Sequence, residues 1–154
     1  MYPIKVNQER HVVEALLQEG ANHGLGLEVG SKPELIAVIA LQAGRGTLMI
    51  CNGYKDEEYI EMALLATKLG ITPIVVIEKL SELETTLRVS KQLDIRPMIG
   101  VRTKLSGRGA GRWKDSGGDS SKFGLTTREI VQVVETLEKE GLLDCLQLLH
   151  FHLG

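Results

Sequence analysis

Short apolar stretches alternate along this chain with segments whose apolar positions recur every three or four residues, dividing it into strand–helix units. The opening stretch, Tyr2-Pro3-Ile4-Lys5-Val6-Asn7-Gln8, reads as a short buried strand ending on a lysine. Tyr2, Ile4 and Val6 are strand formers, and Pro3 is tolerated near a strand's first residue. Residues 8–19 place Val12, Val13, Leu16 and Leu17 at helical spacing and stop at Gly20. A second strand is predicted over 26–30, followed by a capping box in which Ser31 caps and Glu34 reaches back, with Pro33 in the first turn. Leu35, Ile36, Val38, Ile39 and Leu41 give that helix its expected buried face.

The alternation continues with a strand over 47–51 closed by Asn52-Gly53, a helix over 56–69 ended by Gly70, and a strand over 73–77. Ser81 and Glu84 read as a second capping box, opening a helix that runs to Leu93, and a fifth strand over 97–101 leads into Arg102. Residues 104–124 then break the rhythm with glycine, serine and charge. Thr126-Thr127-Arg128-Glu129 caps a further helix, with Ile130, Val131, Val134 and Leu137 as its expected face and Gly141 at its end. A last strand is predicted over 145–152, where His150 and His152 share a face.

Strand ends recur near Lys5, Glu28, Cys51, Glu78 and Arg102, a period of roughly 24 residues, the length of one strand–helix unit. Strict alternation implies a parallel sheet with right-handed crossovers. Strands apolar on both faces fit one buried by helices. The period alone leaves open a large part of an eight-stranded barrel or a complete doubly wound sheet. No glycine fingerprint follows the first strand.

Composition narrows the partners. A chain of 154 residues is one domain's worth, and with 25% charged residues and a formal net charge of -2 it gives no footing for nucleic acid or a membrane surface. The basic cluster Arg108, Arg112 and Lys114 is offset by Asp115 and Asp119, and an aromatic content of 4% offers no stacking platform. No apolar run has transmembrane length and no signal peptide is read before Tyr2, so a cytoplasmic protein is expected. Cys51 and Cys145 sit in apolar stretches without metal-ligand spacing and read as structural thiols in a reducing compartment.

The strand ends carry the chemistry. In a parallel α/β barrel they converge on one face, where ligands bind. Here they bring together Lys5, Glu28, Arg102, His150 and His152. In apolar surroundings the ammonium of Lys5 is destabilised, freeing its amine to form a Schiff base. Arg102 is a candidate to neutralise Glu28. Two histidines on one strand have no third ligand at diagnostic spacing, so no metal site is expected.

Four segments carry a family resemblance: Tyr2-Pro3-Ile4-Lys5-Val6-Asn7-Gln8, Gly26-Leu27-Glu28-Val29-Gly30-Ser31-Lys32-Pro33-Glu34-Leu35, Ser121-Lys122-Phe123-Gly124-Leu125 and His150-Phe151-His152-Leu153-Gly154. Together they resemble the biosynthetic arginine decarboxylases. That family has the pyridoxal 5'-phosphate (PLP) barrel shared with ornithine and diaminopimelate decarboxylases and alanine racemase. The resemblance implies a partial (β/α)8 TIM barrel over residues 1–154, with about six of eight units and a glycine- and serine-rich insertion at about 104–124. It implies that Lys5 forms the Schiff base with PLP, that His152 stacks on the pyridine ring, and that Glu28 and Arg102 lie near the cofactor. The implied reaction converts L-arginine to agmatine and carbon dioxide, in polyamine biosynthesis, by a homo-oligomer for which magnesium is a possible further cofactor. A stand-alone PLP-carrying barrel and a diaminopimelate decarboxylase are the alternatives, and the segment at 104–124 weighs against both. In the family a glycine-rich phosphate loop, a carboxylate for the ring nitrogen and a C-terminal β-domain are expected beyond Gly154. The chain is accordingly expected to be a barrel fragment, inactive in isolation.

Overall fold

The computed structural model describes residues 1–42, 44, 46–105 and 123–152. Most of the segment expected at 104–124, including its basic cluster and Ser121-Lys122, lies outside the described residues, as do Leu153 and Gly154. The strands are β1 (Tyr2–Pro3), β2 (Leu27–Val29), β3 (Leu48–Cys51), β4 (Thr72–Ile77), β5 (Met98–Arg102) and β6 (Leu146–His150). Between them run α1 (Arg10–Gly20), α2 (Lys32–Gln42), α3 (Glu57–Leu65), α4 (Leu80–Leu93) and α5 (Thr127–Lys139). All six strands pair in parallel in the order β1-β2-β3-β4-β5-β6. Each strand neighbours the next in sequence, as barrel units do. β1 and β6 are not paired to each other, so the described strands form an open arc of a barrel.

The two faces of the sheet bury different clusters. Towards the helices lies the main core, including Leu27, Val29, Met49, Cys51, Val75, Ile77, Ile99 and Val101 with Val13, Leu35, Tyr59, Leu83 and Val133. The opposite face carries a smaller cluster, Ile50, Ile74 and Val76, flanked by Leu48, Met98 and Leu148. Side chains alternate across a strand. The inner apolar row of β3 therefore continues past the strand to Asn52, that of β4 to Glu78, and that of β5 to Arg102.

Helix ends show how far local chemistry governs. Asp56 caps α3 by accepting from Tyr59 N at 2.9 Å, and the Lys32 ammonium beside it holds its carboxyl below the usual range. Thr126 and Glu129 form the expected capping box on α5. The box at Ser81 and Glu84 is corrected: α4 starts two residues earlier with Lys79 as N-cap, and Glu82 Oε2 accepts from Glu78 N at 2.8 Å. Glu34 acts in the same way at α2, accepting from Gly30 N at 2.7 Å in place of Ser31 N. In both, the glutamate reaches one residue further back than a capping box does and ties the helix to the end of the preceding strand.

α1 stops at Gly20 as expected, and a separate 3-10 turn, Ala21–His23, follows it and ends at Gly24, whose φ is 64°. Other differences have simple causes. In α5 the buried positions are Val133 and Leu137 with Ile130 partly buried, while Val131 is 51% exposed. Five apolar residues crowd that helix, and i, i+3, i+7 spacing selects 130, 133 and 137. The same spacing in α2 buries Leu35, Val38 and Gln42 and leaves Ile36 exposed. β6 ends at His150, whose O accepts from Thr103 N at 2.8 Å.

Candidate functional site

Past the inner apolar cluster, the C-terminal ends of the strands enclose a cavity of about 840 Å³. Lys5, Glu28, Arg102 and His152 all line it, together with Asn52, Ile50, Ile74, Phe123, Leu148 and His150. The four residues expected from sequence are thus brought to one space, but their settings differ from the expectation.

Lys5 is not the end of a buried strand. β1 covers Tyr2–Pro3 only, and Ile4–Val6 form a 3-10 turn in which Ile4 is buried and Lys5 exposed. Apolar surroundings do not surround the Lys5 amine; it stands at the rim of the cavity.

Arg102 does not neutralise Glu28. Its Nη1 lies 3.1 Å from Glu78 Oε1, a carboxylate almost wholly enclosed, and its guanidinium sits 5.7 Å from the Phe123 ring centre. Glu28 instead accepts from Asn52 Nδ2 at 3.0 Å. Asn52 follows β3 with its Oδ1 buried and without a hydrogen-bond partner. Between Asn52 and Glu78 lies Gly53, whose N–H donates to Glu78 Oε1 at 3.2 Å. Its φ of 76° and its approach to Gly30 leave no room for a side chain, since a Cβ would meet Gly30 O at 2.1 Å. The ends of β2, β3, β4 and β5 are thereby cross-linked by Glu28–Asn52, Gly53–Glu78 and Glu78–Arg102.

The histidines separate. His150 is the last residue of β6 and pairs in register with Arg102, whereas His152 lies beyond the strand and is exposed. They do not continue one strand face. His150 Nδ1 is buried without a hydrogen-bond partner. Burial, and then the neighbouring Arg102 charge, push the His150 imidazole below its ordinary value. Among the described residues, no group of three or more His, Cys, Asp or Glu could hold a metal ion. Cys51 and Cys145 are free and buried, and burial pushes the Cys51 thiol up to about 12, as befits a structural thiol.

Asn52, Lys55 and Glu82 were not expected at the site, and Glu78 only marked a strand end. The glutamates had a readable signal: Glu34 and Glu82 each stand four residues after the strand-end residue they bind. Lys55 had none, because a lysine in a polar stretch reads as solvated.

The whole chain, residues 1–154, matches the model of the family described as pyridoxal-dependent decarboxylase, pyridoxal binding domain. The chain belongs to that family. It is 55% identical over 154 residues to the biosynthetic arginine decarboxylase of Phocaeicola vulgatus, with all of this chain and 24% of the relative covered. The Gloeobacter violaceus protein of the same name is 56% identical over 154 residues, again covering 100% of this chain and 24% of the relative. The chain therefore spans about a quarter of the length of these relatives. Among solved structures, the biosynthetic arginine decarboxylase of Campylobacter jejuni superposes with a TM-score of 0.84 at 36% identity, covering 99% of this chain and 24% of that one. Diaminopimelate decarboxylase of Helicobacter pylori, at TM-score 0.70 and 22% identity over 99% of this chain and 37% of its own, shares the fold. The arc of six parallel strands is thus part of the PLP-binding barrel fold of that family.

Proposed function

We propose that the chain supplies the lysine-bearing wall of the PLP site in a decarboxylase that converts L-arginine to agmatine and carbon dioxide. One observation carries the reading: Lys5, Glu28, Arg102 and His152, separated by up to 147 residues in sequence, line a single cavity at the strand ends. The relatives' names support the substrate. The residues present suit the cofactor, since the cavity pairs an accessible amine with a fixed cation, a carboxylate and two buried polar atoms, Asn52 Oδ1 and His150 Nδ1, that lack partners.

In this reading the Lys5 amine holds the cofactor's aldehyde carbon, His152 lies against the ring, and Glu28 and Arg102 flank it. When bound, PLP supplies an electron sink for the pair left on the α-carbon as carboxylate departs. The chain's own contribution is placement. The inner cluster of Ile50, Ile74 and Val76 closes the floor against water, and Glu78 fixes Arg102. The described residues assign magnesium no ligand set, and a cytoplasmic homo-oligomer follows from the same reading.

The test exchanges this chain for the matching segment of the Phocaeicola vulgatus relative. The chimera is expected to form agmatine from L-arginine, and borohydride reduction with PLP is expected to leave a pyridoxyl group on Lys5. A folded chimera labelled on Lys32 or Lys104 instead, or one turning over diaminopimelate in preference to arginine, overturns the proposal. Lys5→Ala is expected to abolish both label and turnover.

A further inference from the structure

Behind the cavity wall lies a second ion pair that does not itself line the cavity. Lys55 Nζ is 3.3 Å from Glu82 Oε2, and the two side chains are 0% and 5% exposed. Burying two charges is costly, and such a pair is weak grounds for stability unless further hydrogen bonds complete it. The partners it does have lead towards the cavity. Lys55 Nζ also donates to Gly53 O at 2.5 Å, and Glu82 Oε2 accepts from Glu78 N at 2.8 Å. Gly53 N then donates to Glu78 Oε1 at 3.2 Å, the same oxygen that meets Arg102 Nη1 at 3.1 Å. Glu78 is gripped through its main chain by Glu82 and through its carboxylate by Gly53. Gly53 has no slack on its other side, where Gly30 O blocks even a Cβ.

We propose that Lys55 and Glu82 are positioning residues which, acting through Gly53 and Glu78, hold the Arg102 guanidinium in its place in the cavity wall. The pair joins the β3–α3 connection to the first turn of α4, so that neither moves without the other. The consequence for the cofactor rests on the function proposed above; the relay itself is a property of this chain and is tested without turnover.

The test is phenylglyoxal labelling of arginines in the full chain, followed by peptide mass analysis. Arg10 and Arg88, exposed on helix surfaces, serve as internal standards. Glu78→Gln removes the partner of Arg102 directly and sets the scale. Lys55→Met combined with Glu82→Gln removes both buried charges together, so neither is left uncompensated and the melting point stays near that of the parent. In that double variant Arg102 is expected to label about three- to tenfold faster relative to the standards, towards the lower end of coupling within one hydrogen-bond network. Lys55→Met alone is expected to melt lower, because Glu82 is left as an unpaired buried charge. Parental labelling of Arg102 in the double variant, with Glu78→Gln fast, overturns the proposal, and so does a collapse of the double variant's melting point. Failure of the cofactor reading shows separately, as unchanged Arg102 labelling when PLP is added to the chimera that carries the relative's remaining segments.

Discussion

Glu78 and Arg102 face each other across the ends of β4 and β5, and their separation of 3.1 Å joins a carboxylate with 1% of its side chain exposed to a guanidinium with 20%. The pair stands on the inner face, one residue above Ile77 and Val101 of the main core, so losing one partner strands the other in a poorly solvated place. Arg102→Met is therefore expected to destabilise the fold by about 3 kcal/mol, the lower end for breaking a buried pair, since Arg102 keeps some access to water. Urea unfolding measures it. A change within the scatter of ordinary surface substitutions would mean that Glu78 finds another partner.

Gly53 makes a sharper test of the cross-linked strand ends. Gly53→Ala combines a left-handed backbone at φ 76° with a Cβ driven onto Gly30 O, whereas Gly24→Ala meets the same backbone demand at φ 64° with nothing within 4 Å. The second variant is expected to cost about 1–2 kcal/mol, the penalty of the left-handed conformation alone. The first is expected to cost clearly more, because the β3–α3 turn must move and take the Gly53–Glu78 bond with it. Equal midpoints for the two variants would show that the turn has room to shift.

Helix α5 separates what pattern reveals from what packing decides. Val131 was expected on the buried face and Val133 was not, yet Val133 is fully buried and Val131 is 51% exposed. Val133→Ala is expected to cost roughly 1.5–2.5 kcal/mol from the two buried carbons lost and the space they leave. Val131→Ala is expected to stay within about 0.5 kcal/mol, as surface changes do. Thermal melting of the two variants side by side decides it.

The fold was legible because parallel strands and amphipathic helices write their periods plainly, and the four expected cavity residues were legible because a barrel brings its strand ends to one face. What sequence could not show was depth. Lys5 reads as ending a strand, but the ladder stops at Pro3 and Lys5 stands in the 3-10 turn that follows. His152 reads as sharing a strand with His150, but β6 ends at His150 and His152 lies beyond it. Partners were harder still. Arg102 had two acids within reach of a strand-end reading, and strand order chooses Glu78, at the end of the neighbouring β4, over Glu28 on β2, three strands away. Lys55 is the extreme case, since burial of its ammonium depends on Glu82, in the first turn of α4, and on Gly53 O, in its own connection.

His150 gives the chain a pH dependence whose sign follows from its surroundings. Burial is the larger cause and Arg102 the next in holding its imidazole below the ordinary value of 6.5, with His152 adding to them and Glu78 and Glu28 opposing. The folded state therefore binds a proton at His150 less readily than the unfolded chain does. As pH falls below 6.5 the unfolded chain takes up that proton first, and stability declines until the folded imidazole is protonated too. Above 6.5 both forms are neutral and the contribution is level. Asp56, Glu57 and Glu129 have carboxyls held below their ordinary values, so their contributions are lost only at lower pH. His150→Asn is expected to flatten the slope of unfolding free energy against pH just below 6.5, while leaving the acidic limb unchanged. Urea midpoints taken between about pH 5 and 8 for parent and variant make the comparison. Parallel curves across that range would mean that His150 is equally easy to protonate in both states, and that the enclosed ring beside Arg102 is not how the imidazole sits in solution.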